Sequence, residues 1–165
     1  SEITSSPPEK YYLATIHRPA NTDNGEHLQA IISAFGALSK PVVWPVHPRN
    51  KQRLSEIELP ENLHILEPVS YLKMMVLLKN CAKVITDSGG LQKEAYWMQK
   101  PCITVRDETE WVETLEGGWN ILTGAHTQKI ISAVQTEPFE KWQPLYGKGK
   151  AADEIVGITK KLFSL

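Results

Sequence analysis

Thr86-Asp87-Ser88-Gly89-Gly90 is the segment whose residue types point most directly to chemistry. It follows the apolar run Lys83 to Thr86 and leads into the helical pattern Leu91 to Met98, whose first turn takes in both glycines. Paired glycines let a ligand approach the backbone closely. The unpaired N–H groups of a first helical turn, at the positive end of the helix dipole, attract an anion such as phosphate. Ser88 is a residue type that serves either as N-cap or as a further donor to that anion. Glu94, four residues after Gly90, falls on the same helix face and leans back toward the N-terminus. A carboxylate there suits paired hydroxyls better than it suits phosphate. Neither G-x-G-x-x-G nor the P-loop pattern is present. Taken alone, the segment reads equally as a capped helix start and as a phosphate seat.

Three further groups of polar residues directly follow apolar runs: His17-Arg18, His47 and Arg106-Asp107-Glu108. A single histidine at such a place is more often structural. Two at neighbouring strand ends, one followed by Arg18, shift the balance toward anion recognition or proton transfer. Arg106 is a weaker candidate for balancing phosphate charge. The acidic residues Asp107, Glu108, Glu110, Glu113 and Glu116 read mostly as a solvated loop and helix face, and Trp44, Trp97 and Trp119 as packing residues.

The elements that must carry these residues alternate along the chain. Strands are expected at Tyr11–Ile16, Pro41–Val46, Leu63–Leu66, Lys83–Thr86, Pro101–Val105 and Trp119–Leu122. Helical spacing appears in Leu28, Ile31, Ile32, Phe35 and Leu38, and again in Leu72, Met75 and Val76 within Ser70 to Lys79. The polar stretch from Pro48 to Ile57 and the segment Leu91 to Met98 also read as helices. Asn21 to Gly25 reads as a turn-rich loop. Ile130, Ile131 and Val134 suggest another helix, and Ile155, Val156, Ile158 and Leu162 a terminal one after a Pro/Gly-containing loop, residues 138–149. This alternation implies βαβ units around a parallel sheet, hence a Rossmann-like doubly wound α/β fold. The strands are apolar almost throughout, as expected when both faces are covered. In such a sheet, ligands bind beyond the carboxyl ends of the strands, which is where the four polar groups would gather.

Length and composition restrict the rest. A chain of 165 residues fits one domain, with residues 1–10 read as a linker or tail and 11–165 as the folded unit. The formal net charge of −1 gives no electrostatic argument for nucleic acid or an anionic membrane, and the tryptophans form no basic-aromatic patch. No apolar run approaches the roughly 18 residues of a membrane span, and Ser1 to Lys10 has no apolar signal region, so a cytoplasmic setting is expected. Cys81 and Cys102 could form one disulfide but read more simply as buried free thiols. No Cys/His spacing resembles a zinc site, so no metal is expected.

Several ordered motifs, spanning about residues 11 to 160, together resemble the UDP-N-acetylglucosamine 2-epimerase family. They are Thr15-Ile16-His17-Arg18 with Asn21-Thr22, Pro45-Val46-His47-Pro48, and Thr86-Asp87-Ser88-Gly89-Gly90-Leu91-Gln92-Lys93-Glu94-Ala95. Lys100-Pro101-Cys102, Arg106-Asp107-Glu108-Thr109-Glu110 and Tyr146-Gly147-Lys148-Gly149-Lys150-Ala151 complete the set. The resemblance implies the C-terminal half of a two-domain GT-B architecture, with the substrate between two Rossmann-like halves. It also implies epimerisation at C2 of a UDP-N-acetyl sugar by elimination and re-addition of UDP, with no cofactor. Carried over, Ser88, Gly89, Gly90 and Glu94 would hold the diphosphate and ribose with His47 beside them. His17 would be the catalytic-site histidine of this half, and Arg18 would lie near the substrate or a regulatory site. The expected partners are the UDP-sugar, an N-terminal Rossmann-like domain and a second copy of the full-length protein.

Departures from the family pattern bear on these expectations. Ala20 stands where many bacterial members have a Glu that helps form an allosteric UDP-sugar site. Met74 takes a position that is aromatic in some members, Trp111 one that is often Arg, and Lys148 a common Asp. The competing functions are 2-epimerisation of a UDP-diacetamido-uronic acid, the donor-binding half of a GT-B glycosyltransferase, and a non-catalytic UDP-sugar sensor.

Overall fold

The computed structural model describes residues 10–147 and 149–163, so the expected N-terminal tail lies almost wholly outside the described residues, as does Lys148. Six strands, β1 (Tyr12–Thr15), β2 (Val42–Pro45), β3 (Leu63–Leu66), β4 (Lys83–Thr86), β5 (Cys102–Thr104) and β6 (Asn120–Leu122), build one parallel sheet. Their order is β3-β2-β1-β4-β5-β6. The chain winds outward from β1 to β3, returns across the sheet and winds outward again from β4. The order therefore reverses between β1 and β4, and a crevice opens beyond their carboxyl ends. Thr15 is in register with Thr86, and Thr86 with Thr104. The polar residues that follow these strands therefore emerge at one level.

Strand pleating divides the core into two layers. Tyr12, Ala14 and Ile16 face one side of the sheet with Trp44 and Ile103, while Tyr11 and Leu13 face the other with Val43 and Val84. The first side is covered by α2 (Gly25–Gly36) and α6 (Thr127–Gln135), through Leu28, Ile31, Phe35 and Ile130. The second is covered by α4 (Tyr71–Asn80) and α5 (Gly89–Trp97), through Leu77, Leu78, Leu91 and Ala95. Both faces are thus buried, which is why the strands carry apolar runs rather than alternation. Helix α2 starts where Asn24 Oδ1 accepts from the N–H groups of Glu26 and His27, at 3.0 and 3.2 Å. Helix α3 (Pro48–Leu54) adds Leu54 to the first layer.

Two local expectations are altered, at Asn21 and Trp97, and two are met with added detail, the exposed acidic stretch and the terminal helix. The loop expected from Asn21 is in part a single helical turn, α1 (Pro19–Thr22), because Pro19 supplies a preset φ at its start. The acidic stretch contains a 3₁₀ segment (Val112–Gly118) that buries Thr114, Gly117 and Gly118. Trp97 is not a packing residue, being 51% exposed, whereas Trp44 is wholly buried. The terminal helix α7 (Ala151–Phe163) is present, yet Ile155, Val156, Ile158 and Leu162 on it are all exposed. The cysteines are free and buried, and burial pushes both thiols up to about 12.

Candidate functional site

Asp87, immediately after β4, is wholly buried, and its carboxylate is a hub for the neighbouring strand end. Its oxygens accept from the backbone N–H groups of His17 (3.1 and 3.2 Å) and Arg18 (2.9 Å) and from Asn21 Nδ2 (3.0 Å). His17 Nδ1 lies 3.2 Å from Asp87 Oδ1. Asn21 Nδ2 also donates to the Val105 carbonyl at 3.0 Å, so α1 is tied to the ends of both β4 and β5. These bonds explain how a short turn after β1 holds a fixed path.

Ser88 caps α5, its Oγ accepting from Leu91 N–H at 3.4 Å, while its own N–H donates to Thr86 Oγ1 at 2.9 Å. The two glycines face different ways. A Cβ at Gly90 would meet only Ser88 Oγ, at 3.9 Å, whereas one at Gly89 would lie 3.2 Å from Glu110 Oε2. Gly90 therefore opens on the crevice, and Gly89 packs against the loop that follows β5. Trp111 seals that second contact by donating its indole N–H to Gly89 O at 2.7 Å. The Lys93 ammonium lies over the Trp111 and Tyr146 rings, at 4.4 and 4.6 Å from their centroids.

The crevice is a cleft of about 570 Å³ lined by His17, His47, Asn50, Ser88, Gly90 and Glu94, with Val69, Met74 and Leu91 among its apolar walls. That size and mixture suit a nucleotide-sized ligand. Asn50 is buried and donates to the Ile16 carbonyl at 3.2 Å, pinning the start of α3 to the end of β1. Tyr71, in the first turn of α4, also lines the cleft, and the Glu94 carboxylate facing its hydroxyl holds the phenol above its ordinary range. Sequence reasoning missed Tyr71 and Asn50. Both come from helix starts, where no strand-end signal marks them.

A larger cleft, of about 680 Å³, opens at the opposite end of the sheet beside Lys40, Lys83 and Gln99. Its buried cation is already engaged, since Lys83 Nζ donates to Thr136 O at 2.6 Å and pairs with Glu137 at 2.7 Å. It also lies at the amino ends of the strands, away from the switch point. The smaller volume is the better site.

Of the expected residues, His17, His47, Ser88, Gly90 and Glu94 share the cleft. Arg18 and Arg106 instead line a neighbouring cavity of about 370 Å³ with Asn21, His27 and Asp107. Glu110 links the two arginines: Arg106 donates two bonds to it, both 2.8 Å, and Arg18 approaches to 3.6 Å. The hydrogen bonds from Arg106 hold the Glu110 carboxyl down at about 2. Among the described residues, no group of three or more His, Cys, Asp or Glu side chains could hold a metal ion. None of the described helices is long and apolar enough to cross a membrane. Chemically, the cleft offers helix N–H groups for an anion, a carboxylate for hydroxyls and two imidazoles for proton transfer or hydrogen bonding.

A family model described as UDP-N-acetylglucosamine 2-epimerase matches residues 1–160. The chain belongs to the UDP-N-acetylglucosamine 2-epimerase family. Within it, a UDP-N-acetylglucosamine 2-epimerase homolog of Methanococcus maripaludis is 42% identical over 162 residues, covering 93% of this chain and 45% of its own length. The UDP-2,3-diacetamido-2,3-dideoxy-D-glucuronate 2-epimerase of Pseudomonas aeruginosa is 39% identical over 168 residues, 98% of this chain and 48% of that protein. The crystal structure of the Methanocaldococcus jannaschii UDP-GlcNAc 2-epimerase in complex with UDP-GlcNAc and UDP has a TM-score of 0.80 at 39% identity, over 93% of this chain and 46% of that one. A calicheamicin glycosyltransferase shares the fold at a TM-score of 0.55 and 18% identity, over 79% of this chain and 34% of that one. The chain thus spans about half the length of the epimerase-family relatives it matches.

Proposed function

We propose that this chain is the C-terminal, nucleotide-binding half of a GT-B enzyme that epimerises C2 of a UDP-N-acetyl sugar, UDP-GlcNAc to UDP-ManNAc. The observation that carries the proposal is the single cleft at the switch point, which joins a capped helix start, a carboxylate one turn further on and two histidines. The first turn of α5 receives the diphosphate, Ser88 adds a hydroxyl donor, Glu94 accepts from the ribose hydroxyls, and Met74 and Val69 flank the base. His17 serves the reacting end. Arg18 and Arg106 balance phosphate charge from the neighbouring cavity, through the loop that Trp111 ties to Gly89.

In this reading the C2 proton is removed and UDP leaves C1, giving a glycal-like intermediate. Reprotonation at C2 on the opposite face and return of UDP to C1 complete the reaction. Most of that proton chemistry, and the closure that excludes water, falls to carboxylates and surfaces of a preceding Rossmann-like domain. The full-length protein acts as a homodimer. Calorimetric titration of this chain with UDP, followed by incubation with UDP-GlcNAc, tests the assignment. Saturable UDP binding without formation of UDP-ManNAc is expected. No binding at about millimolar UDP, the range of a weak nucleotide site, or clear epimerisation by the chain alone, contradicts it.

A second reading keeps the site and changes the sugar. The Pseudomonas aeruginosa relative is matched over nearly the whole of this chain, at an identity close to that of the Methanococcus maripaludis relative. Competition between neutral and carboxylated UDP-sugars separates the two: preference for the carboxylated sugar assigns the uronic-acid substrate.

A further inference from the structure

We infer that Asp87 is a positioning residue that keeps His17 protonated on Nδ1 and presents a bare Nε2 to the UDP-sugar cleft. The inference rests on the reading of that cleft as the substrate site and adds the protonation state in which its histidine meets the ligand. Two observations combine. The carboxylate is wholly buried and accepts three N–H groups, from His17, Arg18 and Asn21, that fix where the turn after β1 runs. The fourth approach is different, because it involves the side chain of His17 itself, with Nδ1 at 3.2 Å from Oδ1.

An ionised carboxylate only accepts hydrogen bonds, so its place beside Nδ1 favours the tautomer with the proton on that nitrogen. Which nitrogen of an imidazole is protonated is set by the bond the other one makes. The ring is half-exposed and lines the cleft, so the edge turned away from Asp87 bears Nε2. Among the described residues, the other polar and titratable groups lining the cleft are Thr15 of β1, His47 and Asn50 beyond β2, Ser88 and Glu94 of the α5 region, and Tyr71 of α4. Asn50 is committed to Ile16 O, and the Tyr71 hydroxyl faces Glu94. Asp87 is the group the geometry sets against Nδ1.

The consequence is chemical. A neutral His17 accepts a proton or a hydrogen bond through Nε2. It donates there only as the imidazolium, in which both ring nitrogens carry a proton. Removing Asp87 is predicted to change which nitrogen is basic, beyond any loss of fold stability.

Long-range proton–nitrogen NMR of the ¹⁵N-labelled chain reads the tautomer directly. With His17 neutral, the wild-type chain should show a protonated Nδ1 and a bare Nε2, and UDP should shift Nε2 more than Nδ1. Asp87→Asn should move the population toward the Nε2–H form. A wild-type ring bare at Nδ1, or a tautomer unchanged in Asp87→Asn, overturns the inference. The wild-type measurement decides the matter even if the variant does not fold. UDP affinity in the same samples keeps the two claims apart. A failed tautomer with intact UDP binding removes the role of Asp87 alone. The expected tautomer without UDP binding removes the substrate assignment and leaves the Asp87–His17 pairing standing.

Discussion

Glu94→Gln should weaken UDP binding by about 10- to 150-fold while leaving the melting temperature nearly unchanged. Hydrogen bonds to a charged group contribute roughly 1.5–3 kcal/mol, which is that range in affinity. Glu94 stands one helical turn after Gly90, lines the cleft and is not part of either core layer. Its carboxylate is positioned at one end by α5 and faced by the Tyr71 hydroxyl from α4. Glutamine keeps the length and packing but loses the charge and one acceptor oxygen, so paired hydroxyls can no longer both donate to it. Calorimetric titration with UDP measures the effect, and thermal melting checks the fold. Equal affinities would remove Glu94 from the site. Ser88→Ala should give a smaller loss, because the hydroxyl already caps α5 through Leu91 N–H.

The other large effect concerns the scaffold. Trp44→Ala should destabilise the chain by about 3–5 kcal/mol, the usual cost of deleting a large aromatic side chain from a core. For a domain of this size that corresponds to roughly 6–20 °C in melting temperature. Trp44 is wholly buried in β2, packs edge-to-face on Phe35 of α2 with centroids 6.0 Å apart, and is in register with Ile65 of β3. The cavity left by alanine would lie between sheet and helix, where neither can collapse far. Trp97→Ala provides the contrast. That ring is half-exposed, with Lys93 Nζ at 5.4 Å from its centroid, and should lose about 1 kcal/mol or less. Urea denaturation measures both. Similar midpoint shifts for the two variants would contradict the layer assignment.

The contrast between Trp44 and Trp97 also shows where sequence reading stops. Helical spacing places Leu91 and Ala95 on one face of α5 and Lys93 and Trp97 on another, yet an aromatic residue does not announce which face it shares. The alternation of apolar runs with helical patterns is legible because a doubly wound sheet buries both faces and repeats the same unit. The gathering of polar residues at the carboxyl ends of β1, β2, β4 and β5 is legible for the same reason. Less visible is how the sheet divides them. His17 and Ser88 line one cavity and Arg18 and Arg106 the next, while Gly89 and Gly90 turn to opposite partners. Those directions depend on local pleat and turn geometry rather than on spacing. The buried state of Asp87 was hidden too. Within Thr86-Asp87-Ser88 nothing marks which side chain turns inward, and only the four approaching nitrogen atoms explain how a carboxylate remains there.

The central claim is that the switch-point cleft, and no other surface of this chain, receives UDP. Backbone amide NMR of the labelled chain during UDP titration tests it most directly. The account predicts saturable shifts concentrated at His17, His47, Tyr71, Ser88, Gly90, Leu91 and Glu94, with smaller ones at Arg18 and Arg106. Shifts concentrated instead around Lys40, Lys83 and Gln99 at the opposite end of the sheet, or no saturable shifts at all, would contradict it.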